Sequence, residues 1–315
     1  MNLSKDFCGR DFISLHDYTQ QELTYFLDVA DFLKAEKKAG RPIHYLKGKT
    51  MGMIFQKSST RTRVSFETGM YYLGGTALFL SSNDLQIGRG EPIKDTARVL
   101  SRYLDGIMIR TYSHDDVLEL AEYADIPIIN GLTDLLHPCQ VLADLQTIRE
   151  YKGKLAGLKL VFIGDGNNMA HSLMYGGAKM GMEVVIASPE SYVPDATVLA
   201  NAKADALANG GSVTIVSDPM EAAQNADVIY TDVWASMGME GEAEARMKAF
   251  AGYQVNAKLM TATKEDVIVL HCLPAHREEE ITNEIFELHH KEIFDEAENR
   301  LHAQMAVMAL TMADK

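Results

Sequence analysis

Short apolar runs alternate with helix-length segments along this chain, and they do so in two successive series. In the first series, residues 51–56, 76–80, 106–110 and 127–130 read as buried strands. Helices are predicted between them over 62–73, 91–103 and 115–124. The polar break Tyr151-Lys152-Gly153-Lys154 ends that series. The second has strands at 159–163, 183–187, 213–216, 227–231 and 267–270, with helices at 170–180, 195–208 and 219–224. Strands joined through helices pair in parallel, and a parallel sheet is covered by helices on both faces. The expected fold class is therefore α/β, with two doubly wound parallel-sheet domains joined by interdomain helices. One such helix is predicted at 141–151, and a long terminal helix at 296–313. The expected division is 1–135 together with 296–315, a bridge at 136–152, and 153–295.

Composition narrows the function classes. The chain has 315 residues, enough for two domains with substantial cores. Its net charge of -14 disfavours nucleic acid and anionic membrane as partners. No apolar run approaches the roughly 20 residues that span a bilayer, and the N-terminus carries no apolar leader core. Cys8, Cys139 and Cys272 are too few and too scattered for a disulfide framework. A soluble cytoplasmic protein is expected.

In open parallel sheets, ligands bind beyond the carboxyl ends of the strands. Five loops there carry unusual residues. Ser58-Ser59-Thr60-Arg61-Thr62-Arg63 follows a strand and opens a helix. It reads either as a phosphate site of hydroxyls, N–H groups and guanidinium forks, or as a helix cap followed by solvated arginines. Arg110 ends a strand and would lie beside that loop if the two strands are neighbours. His137-Pro138-Cys139-Gln140 opens the bridging helix and offers a His and a Gln to a carbonyl or amide. Asp232-Val233-Trp234-Ala235-Ser236-Met237-Gly238 offers a carboxylate to an ammonium group, and His271-Cys272-Leu273-Pro274 a thiol. Zinc between His137/Cys139 and His271/Cys272 is disfavoured by the lack of paired-ligand spacing. A nicotinamide cofactor on Gly164-Asp165-Gly166-Asn167-Asn168 is disfavoured because position 169 is Met where the fingerprint has its third glycine.

Taken together, these loops resemble the aspartate/ornithine transcarbamoylase family along nearly the whole chain. Ser59-Thr60-Arg61-Thr62-Arg63, Arg110 and His137-Pro138-Cys139-Gln140 are similar to its carbamoyl phosphate site. The Asp232–Gly238 loop, His271-Cys272-Leu273-Pro274, the loop at 164–168 and Glu296-Ala297-Glu298-Asn299-Arg300-Leu301-His302 resemble the ornithine branch. The stretch 81–91 has Arg89 and no Lys, unlike the aspartate branch. The resemblance implies that Ser59, Thr60, Arg61, Thr62, Gln86 (from a neighbouring subunit), Arg110, His137, Gln140, Cys272, Leu273 and Arg300 hold carbamoyl phosphate. It assigns ornithine to Asn168, Asp232, Ser236 and Met237, and the chemistry to Arg110, His137, Asp232 and Cys272. It implies a carbamoyl phosphate domain first and an ornithine domain second, a homotrimer with shared sites, no metal and no cofactor. The implied activity, citrulline formation, belongs to arginine biosynthesis. Competing readings are a putrescine carbamoyltransferase, a nicotinamide-dependent oxidoreductase and a non-catalytic binding protein.

Overall fold

The computed structural model describes residues 1–82, 85–235 and 240–314. It separates into two compact units, 1–146 with 299–315, and 147–298. The divisions fall inside two helices, so each unit takes part of both.

The first unit contains α1 (Gln20–Lys38), β1 (Thr50–Phe55), α2 (Thr60–Tyr72), β2 (Thr76–Ser81), α3 (Ile93–Leu100), β3 (Gly106–Arg110), α4 (His114–Tyr123) and β4 (Ile128–Leu132). The helix α5 (Pro138–Lys152) begins in it. Its four strands are all parallel, in the order β2-β1-β3-β4. Ile54, Ile107, Ile109 and Ile128 pack with Val117 and Leu120 of α4 and Ala97 of α3 to form one buried cluster. The second unit contains β5 (Lys159–Ile163), α6 (Asn168–Lys179), β6 (Glu183–Ala187), α7 (Ala196–Asn209), β7 (Ser212–Val216), α8 (Pro219–Ala222) and β8 (Val228–Thr231). It continues through α9 (Ala243–Ala249), α10 (Ala257–Met260), β9 (Ile268–His271), α11 (Asn283–Leu288) and the start of α12 (His290–Thr311). Its sheet is also parallel, in the order β7-β6-β5-β8-β9. Among the described residues no helix is long and apolar enough to cross a membrane.

Both sheets are the doubly wound kind expected from the alternation. Three features depart from the sequence reading. The helix α1 went unread, although Thr19 and Glu22 form a complete capping box ahead of buried Leu23, Phe26, Leu27, Ala30 and Leu33. The short helices α9, α10 and α11 also went unread, because elements of 4–7 residues carry too little periodicity. The terminal helix starts at His290, before the expected position 296.

In each sheet the strand order reverses at one place. In the first unit that place is between β1 and β3, where Phe55 pairs with Arg110. In the second it is between β5 and β8, where Ile163 pairs with Thr231. A reversal splays the connecting loops apart at the carboxyl edge and leaves a crevice.

The N-terminal segment completes the first sheet. Phe12 bridges to Ile129, its N–H donating to the Ile128 carbonyl and its carbonyl accepting from Asn130 N–H. Its fully buried ring packs on Tyr18 and Phe26. Phe12→Ala leaves a cavity there and should cost about 3–5 kcal/mol. A urea midpoint within error of wild type would contradict this packing role.

Candidate active site

The first unit's crevice is cationic. Ser59 caps α2, accepting a hydrogen bond from Thr62 N–H at 3.2 Å. The cap fixes the first turn of α2, whose N–H groups and positive dipole end open the loop after β1. Gln56 and Lys57 both donate backbone N–H groups to the Arg110 carbonyl, fixing that strand end against the α2 loop. Arg300 of α12 donates to the Gln140 side-chain oxygen at 2.7 Å and to the Thr62 hydroxyl at 3.0 Å. Gln140 in turn donates to Asp144 at 2.8 Å. Arg300, Thr62 and Gln140 therefore form one buried network from three helices.

Lys57, Arg110 and Arg300 are all buried. The Lys57 ammonium lies 3.4 Å from Asp134 and 5.1 Å from the centre of the Tyr112 ring. Taking a cation out of water costs several kcal/mol unless it gains compensating partners. Three such cations on one sheet edge give the crevice a positive field. His137 senses it. Burial first, then Arg300, Arg110, Arg61 and Lys57, hold its imidazole well below the usual histidine range. It is neutral at pH 7, so one ring nitrogen can donate a hydrogen bond while the other does not. Beside it, burial pushes the Cys139 thiol up to about 12, and its sulfur donates to the Asn130 carbonyl at 3.4 Å. Cys139 is a packing residue.

The two readings of the Ser58–Arg63 loop divide residue by residue. Arg63 is exposed, pairs with Glu67 at 3.0 Å and lies over the Phe79 ring at 3.8 Å, as a solvated helix arginine does. Arg61 belongs to the field around His137. Thr60 is exposed and Ser59 partly so, leaving their groups accessible at the helix end. Gln86 is exposed, on the turn Gln86–Arg89 after β2.

The second unit's crevice is built around Asp232, just past β8. Its Oδ1 accepts from Val233 N–H at 2.8 Å and from the Cys272 thiol at 3.1 Å. Its Oδ2 accepts from the Asn167 amide at 3.2 Å. Asn167 also caps α6, accepting from Met169 and Ala170 N–H groups. One side chain thus locks the loop after β5 to the loop after β8. Asn168, the next residue, is half-buried at the start of α6. Arg246 adds a second tie, donating to Asp165 at 2.6 Å and to the Trp234 carbonyl at 2.9 Å.

That arrangement bears on the nicotinamide alternative. A Cβ on Gly166 would lie 2.3–2.5 Å from backbone atoms of Tyr192, Val193 and Pro194. This glycine therefore makes room for the chain's own backbone. The first turn of α6 is already capped by Asn167, where a dinucleotide fold would place its pyrophosphate.

Leu273 follows Cys272 with a left-handed backbone, φ 58°, and donates its N–H to His271 Nδ1 at 2.9 Å. Because Nδ1 accepts, Nε2 carries the proton and faces Glu280 at 3.0 Å. Asp232, His271 and Cys272 offer metal-type ligand atoms within 4.8 Å of one another. The two ring nitrogens of His271 are engaged by Leu273 and Glu280, which leaves that trio without its imidazole ligand.

The structure thus gathers Arg61, Thr62, Arg110, His137, Gln140 and Arg300 in one unit, and Asp232 with Cys272 in the other. Ser236 and Met237 lie outside the described residues. Lys57 was not among the residues singled out from sequence, and Asn167 was named only within the loop 164–168, with no role of its own. Their position, directly before Ser58 and directly before Asn168, was the available signal.

A fold of this class with an anion crevice in one half and a carboxylate–thiol pair in the other defines a group-transfer protein. The chain belongs to the aspartate/ornithine carbamoyltransferase family. Residues 10–150 match its carbamoyl-P binding domain and residues 156–311 its Asp/Orn binding domain. It is 61% identical over 306 residues to an ornithine carbamoyltransferase of Oceanobacillus iheyensis, covering 97% of this chain and 95% of that one. It is 61% identical over 305 residues to the Symbiobacterium thermophilum ornithine carbamoyltransferase, covering 97% and 98%. The solved ornithine carbamoyltransferase from Pyrococcus furiosus superposes with a TM-score of 0.94 at 55% identity, covering 97% of this chain and 98% of that one.

The neutral state of His137 has a consequence for stability. Its proton affinity is ordinary in the unfolded chain and depressed in the folded one. Below about pH 6.5 the unfolded state binds more protons, so this group destabilises the fold progressively on acidification and has no effect above that pH. The melting temperature of the wild type should fall between about pH 6.5 and 5, and His137→Gln should flatten part of that fall. Parallel pH profiles for the two proteins would contradict the depressed affinity.

Proposed function

We propose that this protein transfers the carbamoyl group of carbamoyl phosphate to the side-chain amine of L-ornithine, giving L-citrulline and phosphate. The observation that carries the reading is the division of labour between the buried cations around neutral His137 and the Asp232–Cys272 pair. The names of the relatives at 61% identity support ornithine as the acceptor.

The reaction is direct. The ammonium first gives up one proton, the freed amine nitrogen forms a bond to the carbamoyl carbon, the carbon–oxygen bond to phosphate breaks, and the nitrogen sheds a second proton; one of the two ends on the departing phosphate and the other leaves to solvent. Ser59, Thr60, Arg61 and Thr62 hold the phosphate with N–H groups, hydroxyls and positive charge, and Arg300 supports them. Arg110 and His137 donate to the carbamoyl oxygen as negative charge develops on it. A neutral histidine suits this role, since it donates without needing to lose its proton at each turnover. Gln140, braced by Asp144 and Arg300, faces the amide end. Cys272 and Leu273 complete the carbamoyl site, and Asn168, Asp232, Ser236 and Met237 hold ornithine. An amine with a pKa of roughly 10.4 arrives protonated, so Asp232 attracts it by charge and helps move its proton, with Cys272 as the adjoining group. The transfer requires neither metal nor cofactor. The carbamoyl phosphate domain is assigned to 1–135 with 296–315, the bridge to 136–152 and the ornithine domain to 153–295.

The active assembly is a homotrimer in which Gln86 reaches a neighbour's carbamoyl phosphate. The edge strand β2 supports this reading. It exposes Leu78 and Phe79, and α2 exposes Val64 and Tyr71 on one face, seven residues apart. An apolar sheet edge is a surface that a further copy of the chain can cover. The acid-rich composition fits a cytoplasmic enzyme, and citrulline as the proposed product fits arginine biosynthesis.

Incubation with carbamoyl phosphate and ornithine, putrescine or aspartate in separate reactions tests the acceptor. Citrulline and phosphate should appear one for one with ornithine, and the other two amines should give a small fraction of that rate. Preference for putrescine would overturn the ornithine assignment while leaving the anion site in place. By light scattering the wild type should be a trimer. Leu78→Glu should yield smaller species with reduced specific activity, and a fully active monomer would refute the shared site.

A further inference from the structure

We infer that Glu296 is a positioning residue whose carboxylate clamps the carboxyl ends of β8 and β9 in the register that lets the Cys272 thiol meet Asp232. The inference rests on the reading that Asp232 and Cys272 receive the substrate amine.

The geometry is specific. Glu296 is fully buried on α12. Its Oε2 accepts the backbone N–H of His271 at 2.8 Å, and its Oε1 accepts the Tyr230 hydroxyl at 2.9 Å. His271 is the last residue of β9 and immediately precedes Cys272. Tyr230 stands two residues before Asp232. In the β8–β9 ladder, Tyr230 pairs with Leu270 and Thr231 with His271. The next step along that register is Asp232 opposite Cys272, where the thiol donates at 3.1 Å. One carboxylate therefore holds both strands just short of the reactive pair.

The last N–H of β9 explains why an acceptor is needed. A buried amide N–H needs an acceptor. At this position Glu296 provides it, and a carboxylate gives a stronger acceptor than a neutral group. The tyrosine hydroxyl satisfies the other oxygen. Without the acceptor, the His271 amide would turn toward another partner and carry Cys272 with it. The thiol would then leave the 3.1 Å contact with Asp232. Glu296 reaches the substrate only through these neighbours.

The reporter is Cys272 itself, since Cys8 and Cys139 are buried and Cys272 is partly exposed. Its alkylation by iodoacetamide, followed by peptide mass spectrometry, reads the thiol's surroundings without requiring turnover. Glu296→Leu removes both acceptors at similar volume. It should change the Cys272 alkylation rate at least about threefold and lower kcat by about tenfold or more, the scale of one lost charged hydrogen bond. The Glu296→Gln variant retains one acceptor oxygen and should recover most of both. Tyr230→Phe removes only the hydroxyl contact. It should lower the melting temperature and shift the alkylation rate by less than Glu296→Leu does, because the His271 arm of the clamp remains. If Glu296→Leu lowers melting but alters neither alkylation nor kcat, Glu296 is a structural brace and the inference fails. If Tyr230→Phe shifts alkylation as much as Glu296→Leu at equal stability loss, it also fails. A wild type that makes no citrulline would refute the functional reading instead, while the alkylation comparison would still decide the clamp.

Discussion

The first half of this molecule depends on keeping positive charge out of water before any substrate arrives. Lys57, Arg110 and Arg300 are buried at the edge of a parallel sheet, and Arg61 adds to their field. The cost is met by the rest of the fold: the capped helix α2, the strand pairing of Phe55 with Arg110, and the network of Arg300 with Gln140 and Thr62. Burial holds His137 neutral first, and the same cations add to that effect. The positive field of the crevice and the protonation state of His137 are thus linked without sharing a single cause.

The second half solves the opposite problem with opposite charge. It presents a carboxylate whose two oxygens are held by Val233 N–H, the Cys272 thiol and the Asn167 amide. Both crevices lie where their sheet reverses strand order, which is why loops distant in sequence meet there. The reversal between β5 and β8 brings Asn167 to Asp232. The reversal between β1 and β3 brings Arg110 to the helix that Ser59 caps. A single architectural rule, used twice, yields a cationic crevice and an acidic one.

Much of this was legible in the residues. Strand–helix alternation pointed to two parallel sheets because that rhythm permits little else. The placement of Arg110 beside the Ser59–Thr62 loop hinged on which strands are neighbours, which periodicity does not encode, and the ladder supplies that fact. The shared role of Asp232 and Cys272 is what the family resemblance implies, and the structure brings the thiol within 3.1 Å of the carboxylate. Other features were hidden for physical reasons. Lys57 looks like any solvent-facing lysine until folding buries it. Asn167 stands in the sequence as one polar residue of the loop 164–168, and its bond to Asp232 exists only in three dimensions. The role of Gly166 is set by a backbone segment some 26–28 positions further along the chain, too remote for local pattern to register. The helix α1 precedes the first strand, outside the strand–helix alternation, so its capping box and buried stripe are the only local signals for it.

The two crevices should act as separable parts, and calorimetric titration of carbamoyl phosphate into Asp232→Asn, paired with its citrulline rate, measures that separation directly. The account requires binding of carbamoyl phosphate close to wild type with citrulline formation reduced by about a hundredfold or more, the lower range of what a positioned acid or base contributes. Loss of carbamoyl phosphate binding in that variant, or near-normal citrulline formation, would contradict it.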